Sequence, residues 1–309
     1  MRWLVTIVVV LVVWGTSATG GEWEDAMAAF DAERFDEAFS LMTPLAKAGH
    51  MGAQDKLFHL YYYGEGTAMD RVEAWFWAQR AADQGSALGQ FNLGTVILAG
   101  AAPGVHSNTE AMRWLRLSAD QGYGPALNNL AILLGAADGD RDIATLVSLA
   151  TKAAEQDMPE ALFAMAIAHL RGTPPYVRDS DLAGTFPIDE ALAADLLSRA
   201  ARQWHLDSLV LLAGQNMRRD APTAVLYLRV AASKGCLAAG PLLQLAMAQL
   251  DTEELLASDQ RTRDWMSDNP DPKRHDHSNF GVQGACRMSV LDLLKPLGPA
   301  AGAGPRVQT

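Results

Sequence analysis

Basic charge and cysteine are the two things this 309-residue chain is short of. Against 36 Asp and Glu it sets only 25 Lys and Arg, a formal net charge of −11. No basic run is longer than Lys273-Arg274. An acidic surface repels phosphate backbones and anionic lipid headgroups, which excludes nucleic acid and membrane surfaces as main partners. The longest apolar run, Trp3–Trp14, has twelve residues, short of the ~20 that a membrane-spanning helix needs. No G-x-S-x-G, H-E-x-x-H or phosphate-cradling glycine loop occurs. Gly64-Glu65-Gly66 is not followed by Lys-Ser/Thr, and Glu253-Glu254 are neighbours that point to different sides of a helix. His275-Asp276-His277 lacks a fourth ligand at a familiar zinc spacing and reads as solvated tail. The reading is therefore no catalytic residue, no metal and no cofactor.

What the chain does have is a repeat. In 53–85, Ala53, Leu57, Tyr61 and Gly64 share one helical face, and Ala74, Trp77, Ala81 and Ala82 share another. Gly64-Glu65-Gly66 ends the first helix and Gly85 the second. With the closing glycine as register mark, the pattern returns at Gly49, Gly85, Gly122, Asp157, Trp204 and Gly235. Eight residues after each mark stands Leu57, Leu93, Leu130, Met165, Leu212 or Leu243. Eight before it stands Leu41, Trp77, Trp114, Leu149, Leu196 or Tyr227. Just ahead of the marks come small pairs: Ala81-Ala82, Ser118-Ala119, Ala153-Ala154, Ala200-Ala201 and Ala231-Ala232. A helix pair repeated every 20–50 residues predicts an all-α fold, a right-handed α-solenoid of stacked antiparallel helix pairs.

These residues resemble the Sel-one-like repeat family, helical-repeat relatives of the tetratricopeptide proteins. The family pattern runs A-x3-L-G-x2-Y-x2-G-x-G, a short loop, then A-x2-W-x2-A-A-x2-G. Ala53, Leu57, Tyr61, Gly64, Gly66, Ala74, Trp77, Ala81, Ala82 and Gly85 match it, and Leu93-Gly94, Gly100, Ala111, Trp114 and Gly122 match the next unit. Phe35–Gly49 is similar to the half-repeat with which many bacterial members begin. The likeness spans roughly 24–265 and fades after Asp157. It implies an interaction scaffold without enzymatic activity, as in envelope signalling, polysaccharide regulation or host contact.

Residues 1–20 read as an export signal, with Arg2 as the positive end and Thr16-Ser17-Ala18 as the small residues before cleavage; an uncleaved anchor is the alternative. Residues 22–266 form the repeat array of about six units, and 267–309 a polar, partly disordered tail. Pro44 is expected to kink or weaken the second helix. The fourth unit carries extra residues at 172–188, a loop rich in turn formers. For a periplasmic or secreted chain, Cys236 and Cys286 suggest a disulfide tying the tail to the last pair; two separate thiols are the alternative. Within the tail, Val290–Leu297 is apolar enough for a short helix on the last unit.

In helix-pair solenoids the first helices line the concave side. Their non-packing positions are Asp55, His59 and Tyr62, then Phe91, Thr95 and Leu98, then Asn128 and Ile132, then Phe163 and Ile167. Such an apolar stripe suits an amphipathic helix or extended peptide of another protein, with Tyr62, Phe91 and Phe163 as anchors. The competing reading is that tight curvature buries these side chains between repeats. The expected function is an exported protein-binding adaptor with peptidoglycan as a further contact. The rivals are a cell-wall enzyme of penicillin-binding or β-lactamase type and a passive wall-associated protein.

Overall fold

Every one of the six register marks is a left-handed turn: φ is 98° at Gly49, 90° at Gly85, 80° at Gly122, 57° at Asp157, 63° at Trp204 and 81° at Gly235. Each makes the same pair of bonds. At the first, Gly49 N–H donates to Ala46 O and His50 N–H to Leu45 O. At Trp204 the bonds run to Ala201 O and, from His205, to Ala200 O. This is the Schellman closure, which satisfies carbonyls that a helix end would otherwise leave orphaned. Asp157 and Trp204 hold it without glycine, at a cost of about 1–2 kcal/mol each for the left-handed conformation.

The computed structural model describes residues 19–271 except 103, 105–106, 137–141 and 178–181. All the regular structure in them is helical. The chain divides into two compact units, Met1–Ala111 and Met112–Thr309. The first holds α1 (Thr19–Asp31), α2 (Phe35–Lys47), α3 (Met51–Tyr63), α4 (Arg71–Asp83) and α5 (Ala87–Leu98). Each packs on the next, and α3 also touches α5. Helix α6 (Asn108–Asp120) crosses the division. The second unit continues with α7 (Gly124–Ala136), α8 (Ile143–Glu155), α9 (Pro159–Arg171), α10 (Glu190–Arg202), α11 (Leu206–Asn216), α12 (Ala221–Ser233), α13 (Ala239–Met247) and α14 (Thr252–Asp268). From α7 to α13 each helix again packs on its successor, and α14 returns to α12. The fold is an all-α solenoid.

Two kinds of start alternate along it. Four second helices open on an aspartate N-cap: Asp70 accepts from the Val72 and Glu73 amides, Asp142 from Thr145, Asp189 from Leu192 and Asp220 from Thr223. First helices open two residues after the mark, so one residue ends a helix and begins the next. His50, Ser86 and His205 do this while capping with their side chains. The last unit departs from that rule. A turn at Leu237–Ala238 delays α13 to Ala239, which buries Leu242 where the period predicts Leu243 and leaves Leu237 90% exposed.

The core follows the repeat. Leu57, Leu93, Leu130, Met165 and Leu212 are buried, as are Ala81, Ser118, Ala153, Ala200 and Ala231. Pro44 lies inside α2, which continues past it to Lys47. Helix α14 runs two residues beyond the expected end of the array. Its Trp265 ring meets that of Trp204 edge-on at 5.6 Å, and Trp204 Nε1 donates to Asn269 O at 2.9 Å. Among the described residues no helix is long and apolar enough to cross a membrane. Residues 1–18 of the expected export signal, the His275-Asp276-His277 stretch and the apolar segment at 290–297 lie outside the described residues, and α1 begins at Thr19.

Candidate binding faces

The ten groove candidates divide between the units, six in the first and four in the second, and they do not share one environment. On α3, Asp55 is buried and its Oδ2 accepts from Ser86 Oγ of the α5 cap at 2.7 Å. Its Oδ1 is buried with no hydrogen-bond partner among the described residues. Desolvation pushes the carboxyl pKa up to about 6, against the opposing pull of the Ser86 bond and Lys56. One turn on, His59 is buried and its Nε2 lies 2.8 Å from Glu65 Oε2. A carboxylate only accepts, so Nε2 carries the hydrogen. The imidazole is wedged between Phe30, edge-on at 5.2 Å, and Tyr63 at 4.7 Å.

Tyr62 is half-buried, stacked on Phe58 at 5.3 Å and edge-on to Tyr63 at 5.2 Å, with the Arg71 guanidinium 6.0 Å above it. Tyr63, which the groove spacing passes over, is the more exposed at 47%. Only the run Tyr61-Tyr62-Tyr63 hints at it in the sequence. On α5, Phe91 is fully buried, so it packs the core of its unit rather than lining a surface. Thr95 and Leu98 are half-buried, and Thr95 Oγ1 donates back to Phe91 O at 2.9 Å.

In the second unit Phe163 and Ile167 are half-buried on α9, and the Phe163 ring lies 4.8 Å from that of His205. Ile132 is exposed on α7. Asn128 is buried, and the reason lies 48 residues away: the Tyr176 hydroxyl donates to its Oδ1. Tyr176 belongs to the insertion after α9. Burial pushes its hydroxyl pKa up, with Glu160 adding to the effect, so it stays a donor. The base of the insertion is closed by Phe186 N–H to Gly172 O at 3.1 Å and by His169 Nδ1 on Pro187 O at 3.0 Å.

A further set of contacts ties one repeat to the next. The residue before a mark is repeatedly glutamine. Gln156 Nε2 donates to Gly122 O at 2.8 Å and Gln203 Nε2 to Asp157 O at 2.6 Å, in each case the carbonyl of the preceding mark. Arg199 adds 2.6 and 3.0 Å bonds to Asp157 Oδ1. Cys236 is buried and disulfide-bonded; Cys286 lies outside the described residues. Among the described residues no group of His, Cys, Asp and Glu is arranged to hold a metal ion.

The Sel1 repeat model matches residues 52–86, 87–123, 159–203 and 208–236. It passes over 124–158, although α7 and α8 fold there as a pair with the same closing turn. A Sel1 repeat protein from Oxalobacter formigenes is 19% identical, with a TM-score of 0.60 over 78% of this chain and 98% of its own. At that identity the likeness is one of fold. A protective antigen of uropathogenic Escherichia coli with an SLR fold (20% identity, 88% and 66% covered, TM-score 0.49) is also similar. So is a putative Sel1 repeat protein from Klebsiella pneumoniae (17%, 68% and 99%, TM-score 0.43). No curated protein matches the chain.

Proposed function

The chain is a Sel1-like repeat protein, and from that premise we propose that it is an exported scaffold that captures a segment of another protein along its first helices, with no chemistry of its own. Sel1 repeat proteins generally serve as protein-interaction scaffolds. One observation supports placing the capture on α3. Its charged candidates Asp55 and His59 are turned inward, while Tyr62 and Tyr63 stay at the surface, held by Phe58 and Arg71. Aromatics pre-ordered in this way lose little entropy on binding and carry much of the energy at protein interfaces. No observation favours the cell-wall enzyme or the passive wall protein. Export, and a peptidoglycan contact beside the protein partner, belong to the same proposal.

The test is affinity capture from envelope extract with the mature chain and with a Tyr62→Ala/Tyr63→Ala variant of unchanged helicity. A partner held by the first and lost by the second, then confirmed with purified components, supports the proposal. A partner held equally by both moves the site off α3. N-terminal sequencing of the periplasmic fraction checks export, for which a start at Thr19 or Gly21, after cleavage near Ala18 or Gly20, is expected.

A further inference from the structure

We propose that the Asn128–Ile132–Gly135 face of α7 is a binding site for a Pro-Pro-aromatic turn of a partner protein, and that the chain's own residues 174–176 occupy it in the partner's absence. The proposal rests on the scaffold reading and names the chemistry of one of its faces.

Asn128, Ile132 and Gly135 follow one another at steps of four and three and so form one stripe. Tyr176 meets both ends of that stripe. Its hydroxyl donates to Asn128 Oδ1. At the other end, a Cβ on Gly135 would stand 2.8 Å from Tyr176 Cβ and 2.9 Å from its carbonyl oxygen. The segment's backbone therefore rests on the helix where only glycine leaves room, and the phenol points back along the helix toward Asn128. Tyr176 holds this pose at φ 61°, a left-handed conformation costly for any residue with a side chain and kept only where the surroundings impose it.

The segment also has the character of a ligand. Pro174 and Pro175 are buried beside it, and Val177 N–H donates to Pro174 O at 3.4 Å, closing a turn in which Pro175 presets φ and so lowers the entropy lost on docking. It lies outside the repeat, in an insertion closed at its own base by the Phe186 and Pro187 bonds. The helix it rests on belongs to the pair that the Sel1 match passes over. A tethered occupant competes at an effective concentration of roughly millimolar, so a free partner segment binds the intact chain more weakly than an opened one.

The probe is a fluorescein-labelled acetyl-Thr-Pro-Pro-Tyr-Val-amide peptide, read by fluorescence polarisation. It is titrated against the full chain and against a chain whose residues 174–185 are replaced by a short Gly-Ser linker. Saturable binding to the opened chain is expected, with the intact chain at least about tenfold weaker. Asn128→Ala in the opened chain, or Phe for Tyr in the peptide, is expected to weaken binding about tenfold, the worth of one hydrogen bond to a buried acceptor. The full chain carrying Tyr176→Gly serves as a second opened form should the linker variant lose helicity. Absence of saturable binding to a folded opened form at about millimolar peptide overturns the proposal. So does equal binding to intact and opened chains, or indifference to Asn128→Ala. Such a failure leaves the scaffold reading intact, because its own test reads Tyr62 and Tyr63, which neither replacement touches.

Discussion

Replacing Asp55 by asparagine should stabilise the protein at neutral pH and not at acidic pH. The carboxyl sits on α3 with one oxygen bonded to Ser86 and the other buried without a partner among the described residues. Burial pushes its pKa in the fold up to about 6, against 3.8 for the free side chain. A folded pKa above the unfolded one means that the native state binds the proton more tightly. Stability from this group is then full below about pH 4 and is lost as pH rises through about 6. A shift of roughly two units corresponds to about 3 kcal/mol at 1.36 kcal/mol per unit. Asparagine keeps the acceptor for Ser86 and removes the charge, but leaves an amide nitrogen in the unpartnered place, at about 1 kcal/mol. The net gain expected at pH 8 is about 2 kcal/mol, and near pH 4 it should turn into a loss of about 1 kcal/mol, the amide cost alone. Circular dichroism denaturation of both chains at several pH values reads the difference. A gain that does not change with pH would show that the buried charge is not the cause.

Other substitutions probe the packing. Gly89→Ala places a methyl 2.6 Å from Ala81 Cβ and 2.8 Å from the Ala82 nitrogen, so a loss of about 1–3 kcal/mol is expected in denaturant melts. Trp204→Gly relieves a left-handed φ but removes the bond to Asn269 O and the Trp265 contact. The net loss should be about 2–3 kcal/mol, with amide exchange speeding first in α14; unchanged exchange there would refute the docking role. Gln156→Ala deletes the bond to Gly122 O and should cost about 0.5–1 kcal/mol, read by melting and by faster exchange at the Gly122 turn.

The two tyrosines of α3 and the strap on α7 place different demands on a partner. Tyr62 and Tyr63 are presented in advance, so binding there is limited by complementarity. The α7 face is already filled by Tyr176, so binding there is a displacement.

Much of the fold was legible because its signals are local. A Schellman closure needs bonds spanning six residues, and the helix period needs a face, so Asp157 and Trp204 could be recognised as turn positions without glycine. The Leu57, Leu93, Leu130, Met165 and Leu212 series was equally readable, since each sits at a constant offset from its turn. The slip at Leu237–Ala238 was not, because nothing nearby marks the extra turn that puts Leu242 in the core. The site was legible only in outline. Spacing placed Asp55, His59 and Phe91 on first helices, but whether such a position faces solvent depends on what stacks against it. Ser86 and Glu65 turn the first two inward, and Phe91 is buried outright. The sequence by itself determined the helices, their ends and their repeat, through bonds that close within a turn or two. Tertiary structure alone decided that Gln203 reaches the Asp157 carbonyl and that Tyr176 lies on Asn128, because contacts 46 and 48 residues apart depend on how the pairs stack.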